Sequence, residues 1–331
     1  MAMLIAPHDD GVQTFPNGCS DPFVMPKRYT FNGVIANGAL GFVCEPLVFE
    51  PYNCSSATDK VKNRTVAIKK FHYPFHNEFA ARRVYREIKL LKCIKHENII
   101  TLLDVFSPQH SSDTLRDVYI VTELMDADLS KVVKLDVDNT CISYMVYQIC
   151  CAINYLHSLG IIHRDLKPSN IGVNGNCKVK ILGFGLARTK DGRFMSPYVT
   201  TRYYRAPEVL LGMQYDAKGS NLLSNLKDFS VDVWSIGCIL AELILGVPLF
   251  CGVNTVDQWH KILIICGSPN QNFTDKMSAE AKYVTQLMPT QTGISFDRLF
   301  TESLLASRNF ETAQVEQHVT TEKGVSALSG S

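Results

Sequence analysis

The sequence predicts an α+β chain of two lobes, a small antiparallel-sheet lobe with one helix followed by a larger, mainly helical lobe. Three observations carry this reading. The first 125 residues hold strand-like apolar runs and turn signals around one helical pattern, whereas apolar residues recur at helical spacing from Ile142 onward. The 331 residues are about twice the length of a typical domain, which fits two lobes and a large core. A hydrophobic share of 46% and a charged share of 20% lie near the globular average and exclude a mainly disordered, collagen-like or coiled-coil chain.

Residues 1–27 mix Pro, Gly, Asp and His without periodicity, so a mobile arm is expected there. The first lobe spans 28–125. Phe31–Ile35, Gly38–Phe49 and Val66–Phe71 read as strands, and 51–64 reads as a polar inserted loop between the last two. Glu78–Ile94 is a helical pattern with Ala81, Val84, Tyr85, Ile88 and Leu91 on one face; Ile99–Val105 and Val118–Leu124 then read as two further strands. The second lobe spans 126–308. Ile142, Met145, Val146, Ile149, Ala152, Ile153 and Leu156 repeat at helical spacing up to the stop at Gly160. Val233–Val253 is long enough to span a bilayer, but Glu242 at its middle would cost roughly 2.5–3.5 kcal/mol and Pro248 breaks the helix, so a buried helix is expected. Periodicity fades from Asn309, and 309–331 reads as a disordered tail.

Thirty-three basic against 32 acidic residues give net +1, so no global field draws the chain to nucleic acid or an anionic membrane, and neither is expected as a partner. Phosphate chemistry must be local. Eleven cysteines are scattered at irregular spacing, several inside apolar runs, and reduced, buried thiols are expected. The opening Met1-Ala2-Met3-Leu4-Ile5-Ala6-Pro7 is interrupted by His8-Asp9-Asp10 and lacks the pattern of a secretory leader, so the expected location is cytoplasmic and nuclear.

Ala36-Asn37-Gly38-Ala39-Leu40-Gly41 is a degraded glycine-rich segment followed by the extended run Phe42-Val43-Cys44, which suits a hairpin lid over phosphates better than a turn opening a helix. Val66-Ala67-Ile68-Lys69 puts a lysine at the end of a strand, and Glu87 on the next helix is placed to hold it by an ion pair. Ile161 to Asn170 then sets an aspartate, a lysine two residues on and an asparagine five residues on in one loop: a proton acceptor, a phosphate-binding cation and a metal-ligating oxygen. This segment resembles the protein-kinase catalytic loop over its whole length. The order of lid, Lys69, Glu87, catalytic loop and Ala206-Pro207-Glu208 is also kinase order. Ser196-Pro197-Tyr198 followed by Val199 to Glu208 resembles the activation lip of a mitogen-activated protein (MAP) kinase. Phe106 to Gln109, Asp117 to Val121, Glu123 to Ala127 and Gly212 to Tyr215 are similar to the Jun N-terminal kinases, the stress-activated branch, and similarity runs from about Tyr29 to Leu305.

The resemblance implies a bilobal protein-kinase fold that uses ATP and Mg2+ to phosphorylate serine or threonine before proline. In those terms Asp165 accepts the substrate proton, Lys167 contacts the transferring phosphoryl, Lys69 and Glu87 position the nucleotide phosphates, and Asn170 holds magnesium. Ile35, Ala36, Asn37, Gly38, Ala39, Gly41, Val43 and Ala67 would line the nucleotide, with Thr122 as gatekeeper and Glu123 to Met125 as hinge. Ser196 and Tyr198 would be phosphorylated by an upstream dual-specificity MAP kinase kinase. Arg86, Arg164 and Arg188 would receive the first phosphate, Arg202 and Arg205 the second. Basic-hydrophobic docking peptides would lie beside Leu129 to Val137, against Leu129, Val132, Leu135 and Val137 with Asp136 and Asp138 nearby; a monomer is expected.

Four departures from the family pattern stand out. Gly183-Phe184-Gly185 replaces Asp-Phe-Gly and removes the main magnesium-binding carboxylate. The expected loop at 51–64 and a second insertion at 216–229 lengthen the chain. The chain also stops before the last helices of the larger lobe, which is expected to leave Glu208 without its arginine and the 231–250 helix partly uncovered. Gly183 keeps a second reading open, an inactive kinase acting as scaffold or competitor, and the insertions a third, a truncated product.

Overall fold

Alternation along two strands organises the first lobe. In the computed structural model, which describes residues 11–15, 23–37, 52–71, 74–109, 114–189, 202–213 and 224–301, β1 (Val12–Phe15) and β2 (Phe23–Pro26) form a hairpin. β3 (Tyr29–Asn37), β4 (Tyr52–Asp59), β5 (Arg64–Phe71), β6 (Leu102–Phe106) and β7 (Val118–Glu123) form one antiparallel sheet in the order β3-β4-β5-β7-β6. Val66 and Ile68 of β5 and Tyr119 and Val121 of β7 enter one apolar cluster with Phe23, Met25 and Phe106. The alternate residues Phe71, Val118 and Ile120 pack on the opposite side, against α1 (Glu78–Cys93). That second face also carries Ala67, Lys69 and Thr122.

One expectation for this lobe is overturned, and that for the arm ahead of it is corrected at its described residues. Residues 51–64 are no inserted loop: Tyr52–Asp59 is a full strand paired on both edges, and only the Lys60–Asn63 turn separates it from β5. Ser55 and Ala57 are buried among small polar neighbours, a composition that hides a strand from pattern reading. The expected strand Gly38–Phe49 lies outside the described residues. The arm at 1–27 is anchored where it is described. Phe23 and Met25 are fully buried, Phe23 meets the Tyr119 ring edge-on at 5.8 Å, and the Val24 amide donates to the Tyr119 hydroxyl at 3.1 Å. Arg28 then clamps Asp59 through two hydrogen bonds of 2.8 and 2.7 Å, which hold the Asp59 carboxyl below its ordinary value.

Asn77 caps α1 by accepting from the Ala80 amide. Its buried face is Ala80, Val84, Glu87, Ile88 and Leu91, turned one position from the expected Ala81 and Tyr85, because the face centres on the inward-held Glu87. The expected strand Ile99–Val105 begins only at Leu102. Before it, Asn98 and Ile100 bond to Ile181 of the second lobe (2.8 and 3.0 Å), joining the two lobes.

The second lobe contains β8 (Ala127–Asp128), α2 (Leu129–Val132), α3 (Asn139–Ser158), β9 (Ile161–Ile162), β10 (Ile171–Val173), β11 (Val179–Ile181), β12 (Arg188–Thr189) and α4 (Pro207–Leu210). It continues through α5 (Ser224–Leu245), α6 (Thr255–Cys266), α7 (Gln271–Thr274), α8 (Ala279–Gln286) and α9 (Phe296–Leu299). The predicted periodicity of α3 is realised: Ile142, Met145, Ile149, Ala152, Ile153 and Leu156 are all buried. No helix among the described residues is long and apolar enough to cross a membrane.

Cysteine chemistry departs from expectation. Cys141 and Cys177 are disulfide-bonded, and Cys93, Cys150 and Cys266 are exposed. From Val231 onward α5 is covered rather than bare: Val231, Cys238, Ile239, Leu243 and Leu245 are buried, and among the described apolar residues of the helix Val233 stands out at 60% exposure. Glu208 is half-buried and accepts a hydrogen bond from Ser230 at 3.1 Å, so it is neither deeply buried nor without a donor. The second insertion ends inside α5, where Phe229 stacks on His157 at 4.4 Å; residues 214–223 and the tail from 302 lie outside the described residues.

Candidate active site

Strand alternation and one helix turn bring the first two charges together. Lys69 leaves the sheet on the α1 side, and its ammonium meets the Glu87 carboxylate at 2.9 Å with Glu87 buried. Ala67 and Thr122 face each other across β5 and β7, so the expected nucleotide wall and gatekeeper share this face. Ile35 on β3 is 40% exposed, and Ala36 and Asn37 continue β3 opposite Cys54 and Asn53. Gly38, Ala39, Gly41 and Val43 lie outside the described residues. Glu123 points away from the nucleotide face: its carboxylate accepts from the Thr101 amide at 2.9 Å and pairs with Lys180 at 3.0 Å. The Met125 side chain packs against Gly172, where a Cβ would come within 2.5 Å of it.

The loop between β9 and β10 carries the remaining chemistry. Asn170 donates from Nδ2 to the backbone oxygen and the carboxylate of Asp165, both at 2.7 Å, and the Lys167 ammonium stands 3.5 Å from the same carboxylate. Three functional side chains thus converge within one short loop.

Asp232 at the base of this loop is the residue that motif reading passed over. Fully buried, it accepts from the His163 and Arg164 amides at 2.9 and 2.8 Å and from the His157 ring at 2.8 Å. These bonds hold Arg164 at φ 69, a left-handed conformation that costs a non-glycine residue roughly 1–3 kcal/mol. The sequence signals for Asp232 are an acidic residue opening an otherwise apolar helical run and its place in the Asp232-Val233-Trp234-Ser235 segment that follows the second insertion.

Gly183 adopts φ 75 and ψ 56, also left-handed. Its missing side chain leaves room that Asn170 takes up: a Cβ at 183 would lie 2.7 Å from Asn170 Oδ1 and 2.8 Å from its Cγ. Phe184 is buried with its ring edge-on to His163 at 5.1 Å, and the His163 Nε2–H donates to the Leu182 oxygen at 2.9 Å. Gly185 passes so close to Glu87 that a Cβ would lie 3.2 Å from its Oε2, while Arg86 donates to the Gly185 oxygen at 3.3 Å.

Arginines converge beside this turn. Burial together with repulsion from Arg86, Arg164 and Arg83 brings Arg188 down to about 10, and Arg86 is lowered for the same reasons. Arg205 is likewise brought to about 10 by burial and Arg202, against the opposing pull of Asp165. Ser196 and Tyr198 lie outside the described residues.

An ion-paired strand lysine, a buried helix glutamate and an Asp-x-Lys-x-x-Asn loop form a site for phosphoryl transfer from a nucleotide. The protein kinase domain family matches residues 53–296, most of the chain. The stress-activated protein kinase JNK of Drosophila melanogaster is 46% identical over 288 residues, which are 87% of this chain and 71% of that relative. The chain belongs to the stress-activated MAP kinase family of protein kinases. The family match covers the β4-β5 hairpin that carries Lys69. Of the expected docking residues, Leu129 is fully buried in the kinase core and Asp138 caps α3, while Leu135 is 59% exposed.

Proposed function

We propose that this kinase transfers the γ-phosphoryl group of ATP to serine or threonine before proline in stress signalling, with magnesium held more weakly than a family carboxylate would hold it. The observation that carries the reading is the assembled charge set: Lys69 paired to Glu87 at 2.9 Å, and Asn170 and Lys167 at 2.7 and 3.5 Å from the Asp165 carboxylate in the catalytic loop. Lys69 would orient the nucleotide phosphates, because the buried Glu87 fixes its ammonium. Asp165 would take the proton of the attacking hydroxyl, and Lys167 would offset the negative charge around the reacting phosphoryl.

Magnesium, when bound, neutralises charge on the nucleotide phosphates. Asn170 Oδ1 fits as one ligand, while Gly183 supplies no side-chain oxygen, so the donor set is one carboxylate short for a hard cation. An upstream dual-specificity kinase is proposed to phosphorylate Ser196 and Tyr198. The convergence of Arg86, Arg164 and Arg188, and of Arg202 and Arg205, supports receiving sites for two phosphates. Docking of basic-hydrophobic peptides near α2, action as a monomer and residence in cytoplasm and nucleus complete the proposal.

The test is transfer of labelled phosphate from ATP to a Ser-Pro peptide at saturating magnesium. Transfer that disappears in Asp165→Asn supports the reading, and transfer unchanged by Asp165→Asn overturns it.

A further inference from the structure

Cys141 lies in the first turn of α3 and Cys177 in the turn joining β10 to β11, and the two are bonded with Cα atoms 6.1 Å apart. We propose that Cys141 and Cys177 form a reversible dithiol–disulfide lock on the chain segment that carries the catalytic residues.

Position is the first ground. The two cysteines are 36 residues apart in sequence, and the loop they close contains Asp165, Lys167 and Asn170. β10 starts immediately after Asn170, and β11 ends at Ile181, next to the Leu182-Gly183 step. The bond therefore fastens the far end of the hairpin whose near end positions the catalytic loop and the position-183 turn.

Preorganisation is the second ground. Gln148, buried one helical stretch beyond Cys141, donates from Nε2 to the Cys177 oxygen at 2.9 Å and accepts the Val179 amide at 3.2 Å and the Asn98 side chain at 2.9 Å. These bonds hold the hairpin turn against α3 independently of the sulfurs, so closure needs little rearrangement. Access is the third. Both cysteines are half-exposed, which lets a peroxide and a thiol reductant reach them, whereas Cys238 is buried.

The chemistry balances with hydrogen peroxide as oxidant. One thiolate attacks a peroxide oxygen, breaking the O–O bond to give a sulfenic acid and, after protonation, water. The second thiol then displaces the sulfenic hydroxyl as a further water, forming the S–S bond. Two electrons pass from the sulfurs to the peroxide. A dithiol reductant reverses the step by exchange, becoming the disulfide itself. Closing a loop of this length removes freedom from the opened segment, so the oxidised form should resist local unfolding.

The experiment uses the full chain, reduced and freed of reductant, then exposed to hydrogen peroxide, with remaining thiols capped by iodoacetamide. Peptide mass analysis should find Cys141 joined to Cys177, lighter than the two reduced peptides by two hydrogens. The oxidised chain should melt roughly 4–6 °C higher than the reduced one, with amide exchange slowed across residues 163–170. Both differences should vanish in Cys141→Ser and return to the reduced state with dithiothreitol. Cys177 sits at φ 57, so Cys141→Ser is the primary variant and the mass analysis of the unmodified chain stands without either. Capping of both cysteines after peroxide, pairing of either with another cysteine, or an oxidised chain with unchanged exchange at 163–170 would overturn the proposal. None of these readouts involves phosphotransfer, so failure here is distinguishable from failure of the kinase reading.

Discussion

Replacing Gly183 by aspartate should trade apo stability for metal-dependent catalysis. The backbone at 183 is already left-handed at φ 75, which aspartate tolerates better than most residues, so strain alone costs about 1 kcal/mol. The larger cost is Asn170. A Cβ would lie 2.7 Å from its Oδ1, forcing that side chain to turn and to give up its 2.7 Å bond to the Asp165 carboxylate, a charge-assisted contact contributing roughly 1.5–3 kcal/mol. The added carboxylate also brings a second negative charge beside Asn170, which already holds the Asp165 carboxylate. Without nucleotide and magnesium, Gly183→Asp should therefore lose roughly 2–4 kcal/mol, read as a melting temperature lower by about 3–6 °C. With magnesium and ATP the sign should reverse. Nucleotide affinity should become strongly magnesium-dependent, and phosphotransfer should rise at least ~10²-fold, about 2.7 kcal/mol of transition-state stabilisation. Gly183→Ala isolates the steric part, since it displaces Asn170 and supplies no oxygen: it should lose stability and gain nothing. Calorimetric melting with and without magnesium, alongside peptide phosphorylation, measures all of this. If Gly183→Asp melts like the unmodified chain and shows no new magnesium dependence, the contact between Asn170 and position 183 does not limit metal binding, and the reasoning is wrong.

Further outcomes follow from the same geometry. Lys69→Met should abolish most phosphotransfer and also lower stability by roughly 3–5 kcal/mol, because it leaves the buried Glu87 charge without its partner; the double variant Lys69→Met/Glu87→Gln should recover much of that stability and none of the activity. Phe23→Ala should cost roughly 3–5 kcal/mol in urea unfolding, and a cost near zero would restore the mobile-arm reading of the N-terminus. Burial raises the Glu242 carboxyl above its ordinary value and the Tyr204 hydroxyl opposes that rise, so Tyr204→Phe should raise it further. A carboxyl raised in the folded state loses stability as pH climbs past its unfolded value, so the Tyr204→Phe penalty, about 1–3 kcal/mol near neutrality, should shrink as pH falls toward about 4 in a series of melting curves. Asp59 is the opposite case: held low by Arg28, it stabilises above the unfolded carboxylate value near 4 and loses that contribution on acidification below it, a slope that Asp59→Asn should remove.

What the sequence discloses here is set by whether a residue's partners lie close along the chain. Asp165, Lys167 and Asn170 occupy one loop, and their mutual bonds of 2.7 and 3.5 Å are the kind of geometry a local motif encodes. Lys69 and Glu87 are 18 residues apart, yet a strand and a helix of ordinary periodicity suffice to place them. The α3 core follows from spacing alone. The failures share a different cause. Tyr52–Asp59 lacks the apolar alternation of a strand because its small side chains are chosen for close packing between β3 and β5, and nothing within the segment reveals those neighbours. Residues 1–27 look formless until Phe23 is set on Tyr119, 96 residues later in the chain and 5.8 Å away. Cys141 and Cys177 share no motif spacing because a helix and a hairpin turn, not a short loop, bring them together.

Asp232 makes the sharper point. Its carboxylate holds two catalytic-loop amides and a histidine from 68 to 75 residues upstream, so the conformation of the loop that carries the motif depends on a residue outside it. Motif reading finds the groups that touch substrate, while the groups that hold them lie wherever the fold supplies a buried acceptor. Position 183 joins the two classes. The glycine there is legible in the sequence, but Asn170 standing in the space a Cβ would need exists only in three dimensions. Introducing a carboxylate at 183 is therefore a change in two residues' geometry rather than the addition of one oxygen donor, and stability and magnesium dependence must be measured together to see it.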